Sequence, residues 1–230
     1  RDQVAQIRAA THQQLGLAPQ CVLLHCTHTH TGPATVELAG CGTPSPYYPP
    51  ELSRRLLTVI ELALAELDEV TTATRFEQDF AAGFAWNRVG GNELDTCVRG
   101  VQLDCARRRP ILVVSYACHP VTLGRLARYS ADYPAYLLHE LNAYGLRAVY
   151  LNGCCGDVDP VSNTWRWGGG TQETLRIYGR DLAAVVQQGR QAARPWRTGP
   201  LEACSDQVPV EYQPLDAGQL RMRRGSRAQR

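Results

Sequence analysis

Apolar residues recur every three or four positions in four stretches of the chain, a spacing typical of amphipathic helices. The clearest is 50–68, where Pro50 suits the first turn. Ser130 is well placed to cap a later helix. The predicted helices cover residues 2–15, 50–68, 132–144 and 172–193.

Short apolar runs between these helices predict β-strands. Residues 34–49 are rich in glycine and proline and predict a loop. Helices and strands alternate through the middle of the chain, which favours an α/β fold, a layered domain of mixed β-sheet(s) flanked by helices. The predicted strands cover residues 21–27, 71–80, 97–104, 111–118, 147–152 and a final segment near 206–212.

Composition narrows the possible functions. The 230 residues are 44% hydrophobic, enough to bury a sizeable core, and the net charge of +2 gives no sign of a nucleic-acid partner. No run of apolar residues is long enough to predict a membrane-spanning helix. All 24 basic residues are arginine. The absence of lysine excludes a Schiff-base lysine, a phosphate-loop lysine and a carbamylated-lysine metal bridge.

The ends of the chain and its cysteines bear on its origin. The sequence begins inside a helical pattern, so we expect a piece of a longer protein, with a disordered tail at 216–230. Localisation is left open between a secreted or periplasmic and a cytoplasmic protein.

The nine cysteines are an odd number and several lie in apolar runs, which predicts buried free thiols, typical of a reduced compartment. No CxxC pair occurs, which disfavours a zinc ribbon.

Three histidines lie where apolar runs end. His28 and His30 precede a Gly-Pro turn, and His119 follows the apolar run 111–118. Imidazole is a common zinc ligand, and residues i and i+2 of a strand face the same side. These residues therefore indicate a metal site, although a single histidine in such a run is more often an ordinary core residue.

The other three histidines do not fit this pattern. His25 is out of phase with His28, and we interpret it as a buried residue or one that supports the ligands. His12 and His139 fall on predicted helices, and we expect both on the surface.

The loop 152–160 places Asp157 and Asp159 after a predicted strand. Such loops build active-site rims in α/β folds, and carboxylates there can ligate or orient a metal-bound water. An ordinary Asp-Pro turn is the alternative.

Two further segments are candidates for binding. Asn87-Arg88 precedes a glycine pair, and an arginine fork recognises carboxylates or phosphates unless it is simply a surface residue. Ser130 and Asp132 lie in the segment SADYP, which also reads as a helix N-cap.

Taken together, these segments resemble the N-terminal catalytic domain of the neutral/alkaline (non-lysosomal) ceramidase family. The resemblance extends over about residues 2–215, so that 1–215 would form a partial ceramidase-like domain. The motifs that carry it, in the family's order and spacing, are THTHTGP at 27–33, Asn87-Arg88, CHPVTLG at 118–124, SADYP at 130–134 and NGCCGDVDP at 152–160.

The resemblance implies a zinc-dependent hydrolase that cleaves an N-acyl (amide) bond of a sphingolipid-like or related substrate by metal-activated water. Its partners would be a small-molecule or lipid substrate and, as a peripheral contact, a membrane surface. His28 and His119 match the family's zinc-binding histidines, and His30 matches the histidine that faces substrate and can move a proton. Arg88 matches an arginine that lines the cleft.

We predict His30, Arg88 and Asp159 as catalytic residues. The remaining predicted residues would bind substrate; they are Asn87, Ser130, Asp132 and Asp157.

Two departures from the family keep alternatives open. Asp159 stands where ceramidases carry a serine within GDVSP, and the family's glutamate and tyrosine zinc ligands would lie beyond the end of this chain. The first alternative is a catalytically degenerate member that binds a lipid or a sugar. The second is an unrelated metallohydrolase. The missing lysine disfavours barrel enzymes whose two metal ions are bridged by a carbamylated lysine. A metallo-β-lactamase site is disfavoured because Thr31-Gly32-Pro33 stands where such a site would have an Asp-His pair.

Overall fold

The computed structural model of the protein describes residues 2–37, 43–81, 83–91, 93–124, 126, 128–199, 202–204, 206 and 208–209. Two short 3-10 helices, Pro19–Cys21 and Val161–Asn163, accompany four α-helices. The α-helices are α1 (Asp2–Leu15), α2 (Tyr48–Ala65), α3 (Tyr133–Ala143) and α4 (Gln172–Gln191).

Five strands form a mixed sheet in the order β5-β4-β3-β1-β7. Only the β4–β5 pair is parallel; the other three pairs are antiparallel. The described part also holds a two-stranded antiparallel ribbon, β2–β6. The strands are β1 (Val70–Asp79), β2 (Ala85–Asn87), β3 (Cys97–Cys105), β4 (Ile111–Tyr116), β5 (Arg147–Asn152), β6 (Val158–Pro160) and β7 (Arg194–Trp196).

Helix α3 connects the parallel strands β4 and β5 and packs against β5, while α4 packs against α3, β1 and β3. Parallel neighbours place their carboxyl ends at the same edge of a sheet. The segments that follow β4 and β5 therefore emerge side by side. The predicted layered α/β domain with a mixed sheet flanked by helices is confirmed.

The core lies between the sheet and helices α3 and α4. Along β4, Leu112, Val114 and Tyr116 are buried on the helix-covered face. The ring of Phe76 on β1 fits between two glycines, Gly100 of β3 and Gly189 of α4, because a Cβ at either position would collide with that ring. This close approach fixes how α4 lies on the sheet.

Several predicted elements need correction. Residues 21–27 form no strand: the segment has no strand partner among the described residues, and Leu23 points into solvent. Helix α3 is capped by Asp132, which accepts from the backbone N–H of Tyr133, and not by Ser130. The described residues within 206–212 form no strand, and the rest of that segment, like the predicted tail, lies outside the described residues.

The cysteines are less buried than predicted. The eight described cysteines form no disulfide with one another, and only Cys118 is buried. The expectation of buried thiols is wrong for four exposed residues: Cys21, Cys26, Cys154 and Cys204. No helix in the described part of the chain combines the length and apolar character needed to cross a bilayer.

Candidate metal centre

His119 reaches the candidate site just beyond the carboxyl end of β4. Its backbone N–H donates to the carbonyl of Val158 (2.9 Å), and its ring Nδ1 lies 3.1 Å from the same oxygen. Since a carbonyl only accepts, Nδ1 carries the proton, and Nε2 keeps its lone pair. The side chain is buried, so its ring is held in one orientation with Nε2 available as a ligand.

His28 and His30 are placed by a turn in an irregular segment. His28 has a positive φ of 67°, rare for a residue other than glycine. The threonines beside the histidines anchor the segment: Thr29 Oγ1 donates to the carbonyl of Ser130 (2.8 Å), and Thr31 Oγ1 donates to that of Gly124 (3.3 Å). The predicted meeting of the two imidazoles occurs, but the strand expected to cause it does not.

The three imidazoles converge. One ligand atom from each of His28, His30 and His119 lies within 4.8 Å of the others. The Nε2 atoms of His28 and His30 are 3.2 Å apart, and the ring centroids of His28 and His119 are 4.9 Å apart. In the described part of the chain this is the one group of three or more potential metal-ligating side chains.

The electrostatics favour the neutral form of two of these rings, His30 and His119. Burial, followed by the neighbouring His28 and His119, lowers the pKa of His30 below its ordinary value. Burial also lowers the pKa of His119, in spite of the hydrogen bond to Val158. Neutral imidazole is the form that binds metal ions.

Asp159 is buried beside His119, on strand β6. Its Oδ1 atom lies 3.5 Å from His119 Nδ1 and 3.7 Å from Nε of Arg88, and it has no hydrogen-bond partner within the described part of the chain. Pairing of β6 with β2 sets Asp159 opposite Trp86, close to Arg88. A buried carboxylate thus lies next to two positively polarised groups.

Asn87, Arg88 and Asp157 form the wall of the site beside Asp159. Asn87 Nδ2 donates to a carboxylate oxygen of Asp157 (2.9 Å), and Arg88 Nη2 donates to the carbonyl of Gly156 (2.8 Å). Arg88 also lies near enough to help lower the pKa of His30. The structure therefore brings these three predicted residues together, next to the histidines.

Ser130 and Asp132 have mainly structural contacts. The Asp132 carboxylate is fully buried and accepts from Thr122 Oγ1 (2.7 Å) and from the backbone of Tyr133 (2.9 Å). Ser130 Oγ accepts from the backbone N–H of Asp132 (3.0 Å). They brace the loop that holds Thr29, and their role in binding substrate stays a prediction.

The remaining histidines lie outside the cluster. His12 and His139 are exposed on α1 and α3, as predicted. His25 is exposed, so the first of its two predicted placements, in the core, is wrong; its Nε2 accepts from the backbone N–H of Asn152 (2.8 Å). That bond ties the histidine segment to the end of β5.

The sequence reasoning missed Trp167. Its ring centroid lies 6.1 Å from that of His30, so it forms part of the cleft. The available signal was Trp165-Arg166-Trp167 followed by three glycines, a combination that favours an exposed loop with close backbone contacts.

The described fold is similar to solved ceramidase structures. A crystal structure of neutral ceramidase from Pseudomonas aeruginosa matches with a TM-score of 0.69 at 16% identity, covering 82% of this chain and 34% of that chain. A ceramidase complexed with C2 matches with a TM-score of 0.69 at 15% identity and the same coverage, 82% and 34%.

The chain thus spans about a third of the length of these structures (34%). Neither the protein-family models nor the curated proteins compared with the sequence give a match. At this level of identity the likeness shows the fold. Across the matched part, this chain has the fold of neutral ceramidase.

Proposed function

We propose that this chain is part of a metal-dependent hydrolase. The enzyme would cleave an N-acyl (amide) bond of a sphingolipid-like or related substrate. The observation that carries this proposal is the convergence of His28, His30 and His119 within 4.8 Å on a fold shared with neutral ceramidase. The chain spans 34% of the matched structure, so the activity is proposed for the protein that contains this domain.

The donor set fits a zinc ion. His28 and His119 would hold it, and the Nδ1–H of His119, donated to Val158, leaves Nε2 as its ligand atom. When bound, zinc supplies Lewis acidity, which lowers the pKa of a coordinated water to about 7 and polarises a carbonyl oxygen. Two protein ligands are fewer than zinc sites usually have, so tight binding would need further donors.

We assign proton transfer to His30. Its pKa is lowered, chiefly by burial, so the imidazole is neutral near pH 7 and can accept a proton. An imidazole of this kind can then return the proton to the nitrogen of the leaving amine. The contact with Trp167 limits the positions open to the His30 ring.

We assign Arg88 to the developing negative charge on the carbonyl oxygen. Its guanidinium donates to the carbonyl of Gly156 (2.8 Å), yet 43% of the side chain remains exposed. A fixed positive group in a partly dry site stabilises an oxyanion. Asp159, 3.7 Å from Nε, helps to hold the guanidinium in place.

A buried aspartate favours a second candidate function. Asp159 stands where the family that this chain resembles has a serine. A carboxylate accepts hydrogen bonds but cannot donate the one that a hydroxyl gives. The second candidate is therefore a family-like protein that binds a lipid or a sugar without cleaving it.

Hydrolysis of a short-chain, detergent-soluble N-acylsphingosine by the zinc-loaded protein that contains this domain tests the proposal. We expect release of the free amine by the wild type and none by His28→Ala, with His139→Ala as the matched control because His139 is an exposed histidine on α3. Activity retained in His28→Ala would contradict the proposal. Substrate binding without turnover by the zinc-loaded wild type would favour the second candidate.

A further inference from the structure

We propose that Tyr133 and Asn152 are positioning residues for the metal ligand His119. Both side chains hold the peptide bond between Cys118 and His119, just past the end of β4. The sequence motifs SADYP and NGCCGDVDP supply these two residues. The inference rests on the proposed function and deepens it, because a ring held in one orientation serves catalysis where that ring binds a metal ion.

Tyr133 reaches this peptide bond from the first residue of α3. Its hydroxyl donates to the carbonyl of Cys118 (2.7 Å). The side chain is fully buried, and burial raises the pKa of the phenol well above its ordinary value, so the hydroxyl keeps the proton that it donates. A short hydrogen bond shielded from water holds the carbonyl in one direction.

Asn152 reaches the same carbonyl from the end of β5. One atom of its side-chain amide faces two carbonyl oxygens and a hydroxyl, so this atom is the nitrogen, which can donate to all three. Nδ2 lies 3.0 Å from the carbonyl oxygen of Cys118, 3.2 Å from that of Tyr116 and 3.1 Å from the hydroxyl of Tyr150. Parallel pairing of β5 with β4 sets Asn152 beside Tyr116 and so brings its amide to the end of β4.

Tyr150 of β5 joins the two positioning residues into one network. Its buried hydroxyl lies 2.8 Å from that of Tyr133 and 2.9 Å from the carbonyl oxygen of Tyr116. Tyr133 gives its one proton to Cys118, so its oxygen accepts from Tyr150. A buried network in which donors and acceptors are matched is rigid, and this one ties α3 to the ends of β4 and β5.

The other side of the same peptide bond is also held. The backbone N–H of His119 donates to the carbonyl of Val158 (2.9 Å). With the Cys118 carbonyl fixed by two buried donors, both polar groups of the peptide plane are bound, and the direction in which the His119 side chain leaves the backbone is set. The contact of Nδ1 with Val158 (3.1 Å) then fixes the rotation of the ring.

The zinc affinity of the full chain tests the inference. Tyr133→Phe removes a single oxygen atom, and the Kd for zinc, measured by competition with a fluorescent chelator, should rise about tenfold. Asn152→Ala should raise it by about the same factor. The matched control is Tyr178→Phe, because Tyr178 lies in the same core and its hydroxyl, within the described part of the chain, is hydrogen-bonded to Ser162 (3.1 Å). Its Kd should equal that of the wild type.

Cobalt(II) in place of zinc gives a readout that a loss of core stability alone would not change, because its visible absorption bands report the geometry of the ligands. The bands should shift in Tyr133→Phe and keep their wild-type positions in Tyr178→Phe. Wild-type affinity and spectrum in Tyr133→Phe would overturn the inference. It would also be overturned if Tyr178→Phe weakened zinc binding as much as Tyr133→Phe.

The two proposals fail in distinguishable ways. If Tyr133→Phe binds zinc like the wild type while the protein that contains this domain hydrolyses N-acylsphingosine, the positioning role alone is contradicted. If Tyr133→Phe weakens zinc binding as expected and no hydrolysis occurs, the proposed function alone is contradicted. A wild type that binds no zinc would overturn both.

Discussion

The Nδ1 atom of His119 lies 3.5 Å from Oδ1 of Asp159, although its hydrogen bond goes to the carbonyl of Val158 at 3.1 Å. Both side chains are buried. At this separation the carboxylate acts on the imidazole through its charge more than through a hydrogen bond. It favours the Nδ1–H form of His119, which leaves Nε2 to bind a metal ion, and the negative charge adds to the attraction for a cation.

We therefore expect Asp159→Asn to weaken zinc binding about 10- to 100-fold. The substitution keeps the size of the side chain and removes its charge. Competition with a fluorescent zinc chelator measures the change in Kd. Asp157→Asn is the control, because Asp157 is exposed and its described contacts are to Asn87 and Arg88. Equal affinities of Asp159→Asn and the wild type would show that the carboxylate does not support the ligand.

His30 should affect turnover more than metal content. If His30 transfers a proton and His28 and His119 hold the ion, His30→Ala should keep stoichiometric zinc and lose about 10²- to 10⁴-fold in kcat. Elemental analysis together with the N-acyl hydrolysis assay measures both quantities. Loss of zinc from His30→Ala would instead identify His30 as a third ligand.

Zinc binding should persist in mildly acidic solution. A proton competes with the metal for the imidazole of the ligand His119, and the pKa of His119 is lowered, chiefly by burial. Protonation of His119 should therefore weaken zinc binding only as pH drops through this lowered value, at a more acidic pH than for an exposed histidine. Titrations with zinc between about pH 4 and pH 8 give the midpoint. A midpoint at or above the pKa of an exposed histidine would argue against His119 as a buried, neutral ligand.

Sequence periodicity predicts the parts of the fold that bury an apolar face. The runs at 111–118 and 147–152 become β4 and β5, and the predicted helix at 172–193 becomes α4, since each packs into the core. The apolar run at 21–27 becomes irregular, because no described strand pairs with it and Leu23 stays in solvent. Apolar composition alone cannot supply a strand partner.

The candidate site is likewise predictable from the sequence only in part. Histidines at the ends of two apolar runs predict that His28, His30 and His119 meet, and they do. The place of Asp159 depends on the three-residue strands β2 and β6, which are too short to give a periodic signal. The contact of Trp167 with His30 depends on tertiary packing, which the local pattern does not contain.

Close packing of α3 on α4 gives a test of the fold itself. A Cβ at Gly179 would lie 2.8 Å from the backbone N of Leu137 and closer still to Cβ of Tyr136. Gly179→Ala should therefore force the helices apart and lower the free energy of unfolding by about 1–3 kcal/mol. Gly156→Ala is the control, because nothing lies within 4 Å of its new methyl group. Denaturant unfolding measures both, and equal stability of the two variants would show that the helices do not approach so closely.

Zinc titration with X-ray absorption at the zinc edge tests the central claim most directly. We predict one zinc ion per chain with imidazole nitrogen in its first shell, bound by the wild type and by His139→Ala, and lost or greatly weakened in His28→Ala and His119→Ala. A wild type that binds no zinc, or whose zinc is unaffected by removal of His28 and His119, would contradict the account.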